Sequence, residues 1–134
     1  MYDRKIDKHY CCGLEITMEI IGGKWKPTLI NLINQGILRP SDLQRAMPDA
    51  SRRALNTQLN ELQLHGIVEK KIFAVLPPHV EYRLTEFGTS LLPLTLLMET
   101  WGNEHRDRYT DILGLKKYVI QPASIHRAKF CPIC

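Results

Sequence analysis

The stretch from Asp49 to Leu84 constrains the fold of this chain more than any other segment. Its first half places Leu55, Leu59 and Leu62 at i, i+4 and i+7, so they share one face of a helix. Because successive helical residues rotate by about 100°, the polar side chains of this segment project from the opposite side. Between Ser51 and Gly66, Glu61 is the only acidic residue. The sequence therefore predicts an amphipathic helix whose outer face is hydrogen-bonding and weakly basic.

The second half of this stretch changes from helical to strand periodicity. Gly66 is suited to end the helix. Residues 68–73 and 80–84 then alternate between two faces and flank the turn Leu76-Pro77-Pro78-His79. We therefore predict a β-hairpin. A polar-faced helix followed at once by a hairpin is the arrangement of a winged helix-turn-helix.

Helical spacing also predicts three helices before this stretch, over residues 13–21, 25–34 and 39–47. The third of these would be the first helix of the helix-turn-helix. Pro40 lies near its first position, where the missing N–H costs little. Ser51 is a suitable N-cap for the helix that follows. The predicted fold is mainly α with a small β-hairpin (α+β), a winged helix-turn-helix that dimerises through its terminal helices.

The segment after the hairpin has more apolar surface than one helix of a small domain needs. Thr85 is expected to cap a long helix here, and Pro93 should kink or break it near residues 89–92. Its apolar side chains form two adjacent stripes, an excess that favours a partner subunit. We therefore predict a homodimer interface made by Leu91, Leu92, Leu94, Leu96, Met98 and Trp101.

Length and charge limit the class of protein. A chain of 134 residues is long enough for one domain with its own core, and we divide it into residues 1–113 and a tail, 114–134. Its net charge of +4 permits nucleic-acid binding without requiring it. No segment approaches the roughly 18 consecutive apolar residues of a membrane helix. The N-terminus leads into no apolar signal core, so a cytoplasmic protein without a membrane partner is expected.

A series of short motifs runs in order through most of the chain. They are Cys12, Ile20-Ile21-Gly22-Gly23-Lys24-Trp25-Lys26, Leu43 with Met47-Pro48, Leu55 with Leu59-Glu61-Leu62, Gly66-Ile67-Val68, Pro77-Pro78-His79-Val80-Glu81-Tyr82, Leu84-Thr85-Glu86-Phe87-Gly88, Leu91-Leu92-Pro93-Leu94 and Trp101. Their order and spacing resemble those of HxlR-type winged-helix regulators, a group close to MarR, over roughly residues 10 to 105. The chain departs from the family pattern at Gly13, where proline is usual, and at Pro40, which replaces an aromatic residue. The resemblance implies a homodimeric transcriptional regulator that binds a pseudo-palindromic operator.

The outer face of the predicted recognition helix supplies most of the candidate DNA contacts. Arginine suits guanine and asparagine suits adenine in the major groove, whereas phosphate contacts set register without reading sequence. The alternative is that the outer face of this helix is solvated and contacts no DNA. For the wing, the alternative is that its charged side chains serve only to keep the protein soluble. Base-edge contacts are predicted for Arg53, Asn56, Thr57 and Asn60, phosphate contacts for Arg39, Ser51 and Arg52, and backbone contacts from the wing for Lys70, Lys71 and His79.

Other aromatic and basic residues favour structural roles. Trp25 and Trp101 stand at helical spacing among apolar residues, which is typical of a core or an interface rather than a ligand pocket. Lys24, Lys26 and His65 are predicted to be solvated surface rather than contacts to DNA or a ligand.

Cys12 is the cysteine of greatest interest. It lies where HxlR-type regulators that sense oxidants or electrophiles place their reactive thiol, so the resemblance implies redox control at this residue. At the start of a predicted helix the dipole favours the thiolate, and Lys8 or His9 would add to that effect. The alternatives are an inert, half-buried thiol and a sensing role for Cys11. A small-molecule effector at the dimer junction is the other mode of control.

The C-terminal cysteines form a C-x-x-C pair, Cys131 and Cys134. This spacing suits a disulfide or half of a tetrahedral zinc site. Adjacent cysteines chelate one metal poorly, so a reduced, disordered tail is favoured and no cofactor is expected. The second half of a zinc site would have to come from Cys11, Cys12, His9 or His126.

Two other classes of function compete with a regulator. A thiol-dependent enzyme would use Cys12 or the C-terminal pair, but no catalytic histidine or acid stands at a recognisable spacing, so no enzyme is expected. A winged-helix protein-interaction module without specific DNA binding is the closer alternative. It predicts that Arg53→Ala leaves the function intact.

Overall fold

The computed structural model describes residues 9–114, which form a mainly helical fold with a two-stranded wing. The elements are α1 (Gly13–Ile21), α2 (Lys26–Asn34), α3 (Pro40–Ala46), α4 (Arg52–Leu64), β1 (Val68–Phe73), β2 (His79–Leu84), α5 (Glu86–Thr89), α6 (Leu92–Glu104) and α7 (Arg106–Tyr109). The first three helices agree with the predicted segments to within one residue at either end. The predicted fold class is confirmed. Apart from Gly114 the predicted tail, with His126, Cys131 and Cys134, lies outside the described residues, as does Lys8.

One hydrophobic core joins α2, α3, α4 and the base of the wing. The inward leucines of α4, Leu55, Leu59 and Leu62, are all buried, as the helical spacing predicts. Burying a leucine side chain contributes roughly 1.5–3 kcal/mol. This packing turns the polar face of α4, the recognition helix, outward.

The wing is an antiparallel hairpin in which Val68 pairs with Leu84 and Phe73 pairs with His79. The connection therefore spans residues 74–78, and His79, predicted to lie in the turn, instead begins β2. Ile72 is on the same face as buried Val68 but is 74% exposed, because the hairpin extends past the core at this point. The base of the wing is packed and its tip lies in solvent.

The predicted long helix after the wing is two helices, α5 and α6, separated at Ser90 and Leu91. The single-helix prediction is wrong, but the predicted break near residues 89–92 is confirmed. Pro93 occupies the first turn of α6, where it has no preceding turn to disrupt. Thr85 caps α5, since its hydroxyl oxygen accepts a hydrogen bond from the Gly88 amide at 2.9 Å.

Helix α6 packs against α2 through polar groups as well as leucines. The Asn31 side-chain amide donates to the Thr95 carbonyl at 3.4 Å and to Glu99 Oε2 at 3.3 Å. Both Asn31 and Thr95 are buried. Across residues 9–114, no helix is both long and apolar enough to cross a membrane.

Candidate nucleic-acid interface

The outer face of the recognition helix presents the predicted base-reading residues together. Arg53, Asn56, Thr57 and Asn60 are all exposed. The Thr57 hydroxyl donates to the Arg53 carbonyl at 2.9 Å, so its proton is used within the helix while its lone pairs remain available. Arg52 is exposed at the start of the same helix.

Ser51 caps the recognition helix, as predicted. Its hydroxyl oxygen accepts a hydrogen bond from the Ala54 amide at 3.0 Å. The first amides of a helix have no intrahelical acceptor, so those of Arg52 and Arg53 stay available at this terminus. Such amides, together with the helix dipole, favour a phosphate group at this end of the helix.

The one acid of the recognition helix is held by a buried lysine. Lys26 Nζ lies 2.6 Å from Glu61 Oε2, and Lys26 is only 5% exposed. The prediction that Lys26 is solvated surface is therefore wrong, because its ammonium group has an internal carboxylate partner. Lys24 is exposed, with its Nζ 4.6 Å from the centre of the Trp25 ring, and Trp25 packs against the core as predicted.

The wing lysines differ in their surroundings. Lys71 Nζ lies 3.7 Å from Glu69 Oε1, which partly neutralises it. Lys70 is exposed and forms no ion pair with any residue in the described range. Arg39, also predicted to contact the DNA backbone, is exposed at the N-terminus of α3. Of the two wing lysines, Lys70 is therefore the one whose charge no described acid offsets.

His79 is bound into the wing rather than projecting from it. Its ring stacks on Phe73 with a centroid distance of 4.7 Å, and its Nε2 lies 3.8 Å from Glu81 Oε1. Glu81 also pairs with Arg83 at 2.9 Å. Arg83 is exposed near the base of the wing and was not among the predicted DNA contacts. The alternation of the strand shows on which face Arg83 lies, but it does not show that Arg83 pairs with Glu81. His79 is half-buried, which weakens its case as a DNA contact.

The two N-terminal cysteines are exposed free thiols. Cys12 is the residue immediately before α1 and its side chain makes no capping hydrogen bond. The Cys11 amide donates to Glu15 Oε2 at 2.5 Å. Cys12 is exposed in the single chain, whereas the inert-thiol alternative assumed a half-buried side chain. The reactivity of this thiol stays a prediction. Between residues 9 and 114, no group of three or more histidines, cysteines or acids is placed to hold a metal ion.

The predicted dimer residues divide into two sets. Leu91 and Leu92 are half-buried and pack on the core of their own chain. Trp101 is 55% exposed and stacks on His105, so it is not a core residue. Helix α1 adds apolar surface that was not predicted to be exposed, chiefly Leu14 at 72%. The exposed members of the predicted set are Leu94, Leu96, Met98 and Trp101.

Comparison with known proteins agrees with this geometry. The model of the HxlR-like helix-turn-helix family matches residues 20–110. The chain belongs to that family. The resemblance predicted from the motifs is confirmed, and with it the winged helix-turn-helix fold. Membership makes this protein a transcriptional regulator of the HxlR type, and its relatives are named as regulators rather than enzymes.

Individual relatives of this HxlR-family protein cover most of its length. An uncharacterised HTH-type transcriptional regulator, YdeP of Bacillus subtilis, is 36% identical over 115 residues, 86% of this chain and 90% of the relative. The redox regulator HypR in its reduced form is 42% identical with a TM-score of 0.68, covering 72% of this chain and 95% of HypR. Diamide-treated YodB from B. subtilis is 29% identical with a TM-score of 0.59, covering 72% and 96%.

Proposed function

We propose that two copies of this chain bind a pseudo-palindromic operator, with one recognition helix in each of two successive major grooves about 34 Å apart. The observation that carries the proposal is the outer face of α4. It presents arginine and asparagine side chains to solvent, while its one acid is turned to Lys26. A long helix that merely faced water would carry mixed acids and lysines.

The residues divide by what they would contact. Arg53, Asn56 and Asn60 are exposed on the outer face of α4 and would contact base edges, with Thr57 as an acceptor. The capped N-terminus of α4 would meet a phosphate through its free amides and Arg52. Arg39, Ser51, Lys70 and Lys71 complete the proposed DNA-facing set, and His79 is the weaker candidate because it is half-buried.

The test begins with selection of bound duplexes from a random pool, because the enriched duplexes define the preferred recognition sequence directly. Fluorescence anisotropy then compares that duplex with a scrambled one for the wild type and for Arg53→Ala. Losing one base contact should weaken specific binding by about 1–3 kcal/mol and relax preference at one position. Arg108→Ala is the matched control, because Arg108 is exposed on α7, away from α4.

A protein-interaction module without DNA specificity gives the opposite results. Selection would then enrich no sequence, and binding to all duplexes would be weak, equal and steeply salt-dependent. Function would also survive Arg53→Ala. Either result would reject the operator-binding proposal.

The dimer would form through the exposed apolar face of α6, an amount of apolar surface that a monomer seldom leaves in water. Leu97, which is 66% exposed, lies three residues after Leu94 and four before Trp101 and so shares their face of α6. Leu97→Asp places a charge on this face and should shift the protein from dimer to monomer in sedimentation velocity. Leu64→Asp is the matched control, since Leu64 is also 66% exposed but lies at the end of α4. A protein that is monomeric throughout, or a dimer unaffected by Leu97→Asp, would remove this interface.

We also propose control by thiol oxidation. HypR, a named redox regulator, is similar to this chain, and both N-terminal thiols are exposed. Hydrogen peroxide would convert the Cys12 thiol to a sulfenic acid with release of water, and a second thiol would condense with it to a disulfide, releasing another water. The dimer would then shift between binding and non-binding arrangements.

Two cysteine variants separate the candidate sensors. If Cys12 is the sensor, peroxide changes operator affinity of the wild type, and Cys12→Ser abolishes that change. Cys11→Ser keeps the response if a thiol other than Cys11 supplies the second sulfur. A peroxide-insensitive wild type would favour a small-molecule effector instead. In this proposal the protein acts in the cytoplasm with the DNA, without enzymatic activity or a bound cofactor.

A further inference from the structure

An ion pair between a buried lysine and a glutamate whose side chain is 35% exposed joins the start of α2 to the recognition helix. Lys26 is the first residue of α2 and is 5% exposed, with its Nζ 2.6 Å from Glu61 Oε2. Removing a lysine charge from water is costly unless a carboxylate meets it. The two side chains therefore hold each other in one relative position.

A second contact lies on the same flank of α4. Gln58 is three residues before Glu61, so the two side chains are neighbours on the helix surface. A Cβ built on Gly23, whose φ is +108°, would lie 3.4 Å from Gln58 Oε1. The Gln58 oxygen is buried and accepts no hydrogen bond from any described residue. The junction between α1 and α2 thus packs on this flank, and Lys26 provides the polar link.

The rest of the α4 attachment is apolar and has little directionality. Leu55, Leu59 and Leu62 bury their side chains in the core and set which face of α4 points outward, but hydrophobic burial is non-directional and defines the fine rotation about the helix axis less strictly. The ion pair depends on the distance between Lys26 Nζ and Glu61 Oε2, so it resists a rotation of α4 that would separate the two charges. A rotation of about 20° at the helix radius of roughly 5–6 Å moves a side-chain tip by about 2 Å, enough to break a hydrogen bond to a base.

We propose that Lys26 and Glu61 are positioning residues for DNA recognition, and that their ion pair fixes the rotation of α4 so that Arg53 and Asn56 face base edges. Neither residue of the pair touches DNA in this arrangement. The inference rests on the proposed operator binding and adds a residue on another helix as a determinant of specificity.

Two single substitutions with opposite charge changes test it. Lys26→Met removes a positive charge and Glu61→Gln removes a negative one. If they acted only through attraction to DNA, the first would weaken binding and the second would strengthen it. A positioning role requires both to lower the ratio of specific to scrambled affinity, each by ~10-fold, about the loss of one base contact. The double variant should lose no more than either single variant.

Controls separate positioning from loss of fold and from general charge. Lys26→Arg keeps the ion pair and should keep the affinity ratio. Glu86→Gln removes an exposed acid on α5 and should leave the ratio unchanged. Circular dichroism identifies a temperature at which each variant is folded, and the anisotropy is measured there.

The outcomes that overturn the inference are distinct. Stronger or unchanged specific binding in Glu61→Gln rejects positioning, as does an equal loss of specific and scrambled binding in both variants. If Arg53→Ala loses specificity while both pair variants keep it, this inference alone fails. If the wild type prefers no selected duplex, the proposed operator binding fails and this inference fails with it.

Discussion

The backbone amide of Tyr82 donates a hydrogen bond to the carbonyl oxygen of Leu38 at 2.8 Å. This bond ties β2 of the wing to the loop between α2 and α3. The Tyr82 side chain is also buried in the core. The wing is therefore attached to the helix-turn-helix at its base, in addition to its chain connection through α4, and its orientation follows that of α3 and α4.

Tyr82→Phe should reduce the decrease in the free energy of unfolding at alkaline pH. Burial raises the pKa of the Tyr82 phenol above its ordinary value of 10.0, because the phenolate is poorly solvated in the core. The stabilising contribution of the neutral phenol is present below pH 10 and is lost as the pH rises through the folded-state pKa. Urea unfolding across this range should show the wild type losing stability faster than Tyr82→Phe. Parallel curves would contradict the assignment.

Glu99→Gln should stabilise the fold at neutral pH. Burial raises the pKa of the Glu99 carboxyl, against the opposing effect of the Asn31 hydrogen bond, so ionisation at pH 7 works against folding. A glutamine oxygen can keep the hydrogen bond that Asn31 donates to Glu99 Oε2 without carrying a charge. One such neutral hydrogen bond contributes about 1 kcal/mol.

The pH dependence of the Glu99 effect supplies its check. A raised pKa means that the protonated carboxyl stabilises the fold below the ordinary value of 4.5 and that this stability is lost as the pH rises. The advantage of Glu99→Gln in chemical unfolding should therefore shrink in acid. Glu104→Gln, at an exposed site on the same helix, should stay within about 0.5 kcal/mol of the wild type. An advantage that is independent of pH would reject the ionisation argument.

Lys70→Ala and Lys71→Ala should affect DNA binding unequally. Losing one phosphate contact weakens binding to all duplexes and lowers the slope of log affinity against log salt by about 1. Lys70 has no acidic partner in the described range, whereas Lys71 is paired with Glu69. Anisotropy titrations at several salt concentrations should show the full slope change for Lys70→Ala and a smaller one for Lys71→Ala. The reverse order would place Lys71 on the DNA.

Gly88→Ala and Gly102→Ala should change stability in opposite directions. A Cβ at Gly88 would lie 2.0 Å from the Ile67 carbonyl oxygen, so α5 would have to move off the base of the wing, at a cost of about 3 kcal/mol. Nothing lies within 4 Å of a Cβ at Gly102, and alanine inside α6 should add about 0.5–1 kcal/mol. Thermal unfolding of both variants distinguishes these outcomes. An unchanged melting temperature in Gly88→Ala would show that α5 is not held tightly against the base of the wing.

Local patterns in the sequence determined the elements and the family. The i, i+4, i+7 leucines of α4, the alternation of the two strands and the break before Pro93 are all short-range signals, and each corresponds to a feature of the structure. Such signals depend only on which side of a helix or strand is apolar. They are sufficient to place Arg53 on the outer face of the recognition helix.

Tertiary structure decided which charged and apolar residues remain free. From the sequence alone, Lys26 is expected to lie on the surface because it is a lysine. In the structure it forms an ion pair with Glu61 on α4. Leu91 was predicted to lie in the dimer interface but packs on the core of its own chain. Leu14 of α1, by contrast, is exposed. These outcomes depend on contacts between residues far apart in the chain. Periodicity shows the face on which a side chain lies, whereas only the packed fold determines what meets that face.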